Sequence, residues 1–196
     1  MNTPAHASPT QRVPVRTLFG IDSDMQVDAM TERGALKFYT DIDLGRGLRT
    51  LFLELQTRLG LSGAPIKAYI AGGIAVHLYT AYRVSMDVDA EFGARLHLPR
   101  DLGVEVTGPD GRPLWLHFDV HVLSPVDLAV SKISRFADHD RHDIAALVLH
   151  GLATAEAIEA RAHDALIGFV GNVGSLKMNI ADAVAIACKA EEKLAR

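Results

Sequence analysis

Apolar and polar positions alternate along the chain in patterns that predict both helices and strands. Leucine and phenylalanine residues recur every three or four positions over 44–59, which predicts an amphipathic helix that ends near Gly60. The apolar run over 66–71 predicts a buried strand, and residues 74–82 are expected to form a helix directly after it. Alternation of apolar and polar residues over 84–92 predicts a second strand.

The second half of the chain changes from strands to helices. Residues 104–107 and 114–122 flank a Gly-Pro-Asp-Gly sequence, which predicts a β-hairpin. From Pro125 onward the apolar spacing is helical and predicts two short helices, followed by longer helices over 154–169 and 177–194. This order of elements predicts an α+β fold, with a mixed or antiparallel sheet, flanking helices and a helical C-terminal part.

A chain of 196 residues is expected to form one domain. Residues 1–16 contain three prolines among small polar residues, which predicts a flexible N-terminal arm. We expect residues 17–150 to form the α+β core and residues 151–196 to form a helical part packed on that core.

Charge, hydropathy and cysteine content narrow the class of protein. The net charge of −4 and the pI of about 6.1 exclude an overall positive charge that would attract nucleic acid to the whole surface. No apolar run approaches the ~18 residues of a membrane helix, and the N-terminus lacks the charged and apolar regions of a signal peptide. We therefore expect a cytoplasmic protein with no membrane partner. The single cysteine, Cys188, lies in a small apolar stretch and is expected to be a buried thiol.

The segment with the clearest chemistry runs from Gly72-Gly73 to Asp89. Two glycines at the start of a helix let a phosphate approach its N–H groups and its positive end. Asp87 and Asp89 lie two positions apart on a predicted strand, so both carboxylates are expected on one face, together with Glu91. Three like charges in a row repel each other unless cations lie among them, and Mg²⁺ prefers carboxylates and phosphate oxygens. Singly, each feature is also typical of a turn or a solvated strand; the combination favours a metal site.

A second polar face lies on the strand predicted over 114–122. It carries His117, Asp119 and His121 at alternating positions. Asp119 is expected beside Asp87 and Asp89 as a third carboxylate. Two imidazoles and a carboxylate also fit zinc, manganese or iron, so a metal hydrolase built on this trio is an alternative. The histidines are otherwise expected to flank the third carboxylate or to face solvent.

The sequence resembles the DNA polymerase beta type nucleotidyltransferase superfamily. The first matching motif is Gly72-Gly73, a helix, and then Asp87-Val88-Asp89-Ala90 in a strand. A second block begins at Ser124-Pro125-Val126-Asp127 and continues through Lys132, Arg135, Asp140 and Asp143. It is similar to a block of the AbiEii-like nucleotidyltransferases, the toxin halves of some bacterial toxin–antitoxin pairs. Asp127 departs from the glutamate that is usual in that block.

The resemblance implies the catalytic residues. Asp87 and Asp89 would bind a divalent metal ion, Mg²⁺ or Mn²⁺. Asp119 would match the third carboxylate, as a metal ligand or as the base for the acceptor hydroxyl. The roles of Arg135, Asp140 and Asp143 do not follow from the resemblance, and Asp140 and Asp143 are expected on a solvated helix face.

The resemblance also implies the nucleotide-binding residues. Gly72 and Gly73 would cradle the phosphates of the nucleotide, and Lys132 would face the triphosphate. Arg83 and Ser85 match an Arg-x-Ser/Thr-x-Asp pattern just before the first aspartate.

The implied function is transfer of a nucleotidyl group from a nucleoside triphosphate to a hydroxyl acceptor on RNA, such as tRNA, or on a protein. The resemblance further implies a toxin–antitoxin setting with an antitoxin protein as partner. The alternative to catalysis is a module of the same fold that binds a nucleotide or a partner without turnover.

Overall fold

The structure is a computed structural model that describes residue 36 and residues 38–60, 66–82, 88–92, 103–105 and 118–196. These ranges contain six α-helices and four β-strands. In chain order the elements are α1 (Asp43–Leu59), β1 (Ile66–Ile70), α2 (Gly72–Thr80), β2 (Ala90–Phe92), β3 (Gly103–Glu105), β4 (Phe118–Leu123), α3 (Pro125–Ile133), α4 (Asp138–Leu149), α5 (Ala155–Leu166) and α6 (Val173–Leu194). The predicted N-terminal arm over 1–16 lies outside the described residues, and the predicted boundary at residue 150 stays a prediction.

The four strands form one mixed sheet in the order β2-β1-β4-β3. The central pair, β1 and β4, is parallel, and both edge strands pair antiparallel to their neighbours. The predicted α+β class is therefore confirmed, and a wholly antiparallel sheet is wrong. The physical reason is the connection: a long crossover that includes α2 separates β1 from β4, and such crossovers join parallel strands.

One face of the central strands forms the core. Along β4 the residues alternate between buried and half-buried, beginning with the buried Phe118. Phe118 packs edge-on against Phe52 of α1, with ring centroids 4.9 Å apart. All six helices contribute residues to the same buried cluster. Burial of this face stabilises the fold. The alternate residues of β1 and β4 point to the other face of the sheet.

The glycine pair begins a helix, as predicted, but the second aspartate does not lie on a strand. Helix α2 begins at Gly72, and β2 begins only at Ala90, inside the strand predicted over 84–92. Asp89 therefore precedes its strand, and its carbonyl oxygen accepts a hydrogen bond from the N–H of Ala71 (2.9 Å). Asp89 thus lies at the point where the pairing of β2 with the end of β1 starts.

The C-terminal helices pack on the helices that precede them. Helix α6 packs against α4 and α5, and α5 packs against α3. Cys188 is exposed on α6, so the predicted burial of its thiol is wrong. The buried stripe of this helix is narrow, consists of Ile180, Ala183, Ala187 and Ala190, and does not include residue 188. Within the described ranges, no helix combines the length and apolarity needed to cross a membrane.

Candidate active site

The end of β1 meets the start of α2 at a corner that only glycine fits. Gly72 has a φ of +66°, a left-handed backbone conformation that residues with a Cβ rarely adopt. A Cβ placed on Gly72 would also lie 1.9 Å from Oδ2 of Asp89. The carboxylate of Asp89 thus occupies the space that a side chain at position 72 would need, in contact with the first turn of α2.

The first turn of α2 has the properties of an anion site. Its N-cap residue, Ala71, supplies no side-chain cap, and the first turn contains no acidic residue. A helix N-terminus has backbone N–H groups directed outward and a partial positive charge. Gly73 is buried in the same turn. The corner therefore places a helix N-terminus beside a carboxylate, which is an oxygen ligand of the kind Mg²⁺ prefers.

A group of buried charges lies at the junction of α3 and α4, and α2 packs against both helices. Asp140 and Asp143 are 0% exposed and Lys132 is 5% exposed. Lys132 Nζ lies 2.9 Å from Oδ2 of Asp143 and 3.7 Å from Oδ1 of Asp140. The sequence placed Lys132 against the triphosphate and both aspartates in solvent. In the structure both carboxylates are buried, which corrects that expectation, and the ammonium of Lys132 pairs with them.

Arg135 extends this group toward the surface. Its Nε and Nη2 each donate a hydrogen bond of 2.8 Å to a different oxygen of Asp140. Burial alone raises the pKa of Asp140, but hydrogen bonds from Arg135 and the Ala137 N–H, with the charges of Arg135 and His139, hold it below its usual value. The pKa of Arg135 is raised, chiefly by the hydrogen bonds and charge of Asp140 and to a lesser degree by Asp89 and Asp143.

A helical spacing could have indicated this buried group. Asp140 and Asp143 lie at i and i+3 of a stripe that continues with Ile144 and Leu147. Lys132 falls on the equivalent stripe of α3 with Leu128, Ala129 and Ile133. Charged residues on an apolar stripe indicate buried pairing, because an unpaired buried charge is costly.

We expect Asp140 to make the protein sensitive to acid. Because the folded-state pKa of Asp140 is lowered, its contribution to stability is fully present above the unfolded value of about 4 and is lost as the pH falls through the folded value. The Asp140→Asn variant should therefore lose less stability between pH 5 and pH 2 than the wild type. Its free energy of unfolding should fall less steeply with pH, by up to about 1.4 kcal/mol per pH unit. Urea unfolding across this range measures it. Asp138→Asn, which removes an exposed carboxylate from the same turn, controls for net charge, and equal slopes in wild type and Asp140→Asn would contradict the prediction.

Asp119 belongs to a different group of side chains. Its Oδ1 lies 2.8 Å from Nε2 of His121. The ring of His121 stacks on that of Tyr69, with centroids 5.2 Å apart. Burial, and then the charge of Asp119, raise the pKa of Tyr69. These residues lie on the face of the sheet opposite the core.

The register separates Asp119 from the glycine corner. Asp119 lies opposite Lys67, whereas Asp89 lies opposite Ala71, four residues further along β1. Four residues span about 13 Å, and the two strand spacings between them add about 10 Å across the sheet. The structure therefore brings Asp89 together with Gly72, and it does not bring Asp119 to that corner.

Four of the residues singled out from the sequence lie outside the described ranges, namely Arg83, Ser85, Asp87 and His117. Among the described residues, no group of three His, Cys, Asp or Glu side chains is arranged to hold a metal ion. The metal site on Asp87, Asp89 and Asp119 and the site on His117, Asp119 and His121 thus stay predictions.

Comparison with known families adds one match over the part of the chain that follows the corner. A family model described as "Nucleotidyltransferase of unknown function (DUF6036)" matches residues 115–181. The match supports a nucleotidyltransferase family. It does not extend to the AbiEii-like branch. A model described as the N-terminal part of the cobaltochelatase CobS subunit matches residues 5–34, which lie outside the described ranges. Neither the comparison with curated proteins nor that with solved structures gave a match.

The nucleotidyltransferase match covers Asp119 and the whole α3–α4 junction, but not Gly72 or Asp89. It therefore falls on the second block of the sequence resemblance. The first block is linked to that region by the structure, in which α2 packs on α3 and α4.

The second block begins with the N-terminal cap of α3, which a side chain of α5 also contacts. The Oγ of Ser124 accepts from the N–H of Asp127 (3.2 Å) and donates to its Oδ2 (2.7 Å). Arg161 of α5 donates from Nε to Oδ1 of Asp127 (2.7 Å). Asp127 therefore fixes the start of α3, which positions Lys132 and the charged group at the other end of this helix.

Proposed function

We propose that the protein is a metal-dependent nucleotidyltransferase that transfers a nucleotidyl group from a nucleoside triphosphate to a hydroxyl of RNA or of a protein. The observation that carries the proposal is the contact of the Asp89 carboxylate with Gly72 at the start of α2. It joins a metal ligand to a phosphate-binding helix end. The family match over the α3–α4 junction supports the same activity.

The residues at the corner have separate tasks in this proposal. The first-turn N–H groups of α2 bind phosphate oxygens, and Gly72 allows both the turn and the close approach of Asp89. Asp89 and Asp87 would hold Mg²⁺ or Mn²⁺, and the oxygens of Asp89 suit this ion. When bound, the ion would neutralise phosphate charge and activate the attacking hydroxyl.

The reaction breaks a phosphoanhydride bond of the nucleoside triphosphate and forms a phosphoester bond to the acceptor. The acceptor oxygen forms a bond to the α-phosphorus, the bond between that phosphorus and the bridging oxygen breaks, and pyrophosphate leaves. The proton of the hydroxyl passes to a carboxylate or to water. The four charges of the α3–α4 group pair with one another, Lys132 and Arg135 with Asp140 and Asp143, on the two helices against which α2 packs.

Within this function we further propose the AbiEii-like branch, with Asp119 as the third carboxylate and an antitoxin protein as partner. The register separates Asp119 from Asp89, so in that case Asp119 would contact the acceptor and not the metal ion that Asp89 would hold.

Label transfer tests the function directly. The purified protein is incubated with each of the four α-³²P-labelled nucleoside triphosphates, Mg²⁺, and RNA or protein from a cell extract. We expect label on one acceptor class, with none after chelation of the metal and none with Asp89→Asn. Exposed Asp138, replaced by Asn, is the matched control and should retain transfer. Nucleotide binding without transfer under any of these conditions would instead indicate a binding module.

A further inference from the structure

The exposed cation of the α3–α4 group is Arg135. Its side chain is 64% exposed, although its guanidinium forms an ion pair with the fully buried carboxylate of Asp140. Lys132, the residue expected from the sequence to face the triphosphate, is buried in the same group and pairs with Asp143. An incoming anion therefore meets the guanidinium of Arg135 before it reaches the ammonium of Lys132.

The hydrogen bonds of Arg135 leave one side of the guanidinium directed away from Asp140. Nε and Nη2 form the two bonds to the carboxylate, so Nη1 lies on the opposite side. Asp140 is held in turn by the N–H of Ala137 (3.0 Å) and lies near Lys132. A buried, fixed carboxylate thus orients an exposed guanidinium, so that little side-chain freedom is lost when an anion binds.

Helix direction places the corner of the proposed active site toward Arg135. Helix α2 starts at Gly72, beside Asp89, and packs against both helices that flank Arg135. Near the other end of α2, the hydroxyl of Tyr79 donates a hydrogen bond to the carbonyl oxygen of Leu123, just before α3 (3.0 Å), so the start of α2 lies toward the end of α3 that precedes Arg135. The charge of Asp89 also contributes to the raised pKa of Arg135. Together the helix end, the carboxylate for the metal ion and the guanidinium match the charge of a triphosphate whose oxygens are shared between a metal ion, N–H groups and an arginine.

We propose that Arg135, oriented by Asp140, binds the terminal phosphates of the nucleoside triphosphate. The inference rests on the proposed function and makes it more specific, since it assigns recognition of the triphosphate over a monophosphate to one side chain. Two charge-assisted hydrogen bonds from a guanidinium also stabilise the pyrophosphate that leaves.

Calorimetry with inorganic triphosphate in the presence of Mg²⁺ tests this role, with inorganic phosphate as the second ligand. We expect Arg135→Ala to weaken triphosphate binding about 10- to 100-fold, the usual range for loss of hydrogen bonds to a charged group. The effect on inorganic phosphate should be much smaller. Arg141→Ala is the matched control, because Arg141 lies on the same helix junction, over the ring of Phe136. It should bind triphosphate like the wild type.

A second variant separates binding from folding. Should Arg135→Ala unfold because Asp140 loses its partner, Arg135→Lys keeps the charge and lacks the two-pronged contact, and it should still bind triphosphate several-fold more weakly. Triphosphate affinity equal to that of the wild type in a folded Arg135 variant would overturn the proposal, while label transfer by the wild type would leave the nucleotidyltransferase function in place. A wild type that binds no triphosphate and transfers no label would overturn both.

Discussion

Replacement of Gly72 by alanine should reduce nucleotidyl transfer by on the order of 10²-fold or more, because catalytic groups displaced by about 1 Å lose that much. The added Cβ would lie 1.9 Å from Oδ2 of Asp89, closer than any real contact. Either Asp89 must move away from the start of α2 or the corner must open. In both cases the proposed metal ligand and the phosphate-binding N–H groups lose their relative positions. Steady-state transfer assays, with kcat and KM determined separately, measure the loss.

Gly151 provides a matched control for this change. Its φ of +68° is nearly that of Gly72, but a Cβ there would have no neighbour within 4 Å. Both alanine variants should lose stability through the left-handed backbone, by about 1–2 kcal/mol. Only Gly72→Ala should lose transfer. Equal activity of the two variants would show that the contact between Asp89 and Gly72 has no part in the function.

Replacement of Lys132 by methionine should lower the free energy of unfolding by about 3–5 kcal/mol, the usual cost of removing one partner from a buried ion pair. The change keeps the approximate volume of the side chain, leaves the buried Asp140 paired with Arg135 and removes the ammonium from the buried Asp143. Such a loss is a large part of the free energy of unfolding of a typical domain, which is about 5–15 kcal/mol. Urea unfolding followed by circular dichroism measures it.

Two further variants test the explanation. The double variant Lys132→Met, Asp143→Leu removes both charges and should recover much of the lost stability, because apolar pairs can replace buried ion pairs at little cost. Arg58→Met makes the same kind of change in an exposed pair, where Nε of Arg58 lies 2.7 Å from Glu54, and should cost less than about 1 kcal/mol. A loss at Lys132 no greater than that at Arg58 would refute the buried network as a source of stability.

Much of the secondary structure could be predicted because each helix and strand has one buried face. The periods of α1 and of β4, for example, are present in the structure, in which α1 begins one residue earlier and β4 ends one residue later than predicted. The patterns also suggested a corner at the glycine pair. They were wrong about Cys188, since an apolar stretch does not say which of its residues lie on the narrow stripe that is buried.

The candidate site could be predicted only in part, because its members are brought together by strand register and helix packing. The spacing of Asp119 and Asp89 along the chain suggested neighbours in one sheet, but β1 lies between them and the register offsets them by four residues. The spacing of Asp140 and Asp143 appeared typical of a solvated helix face, yet α4 directs both into the molecule toward Lys132.

Local physical chemistry thus allowed the sequence to predict most of the helices and strands and a helix that begins at the glycine pair. These properties depend on side-chain periodicity and on backbone sterics within a few residues. Three features depend on the packing of distant segments: Asp89 fills the space beside Gly72, Lys132 is buried with two carboxylates, and Arg135 is the cation of that group at the surface. The reason is that register and packing depend on contacts between residues distant in the chain, whose charges acquire their roles only when they are close together and excluded from water.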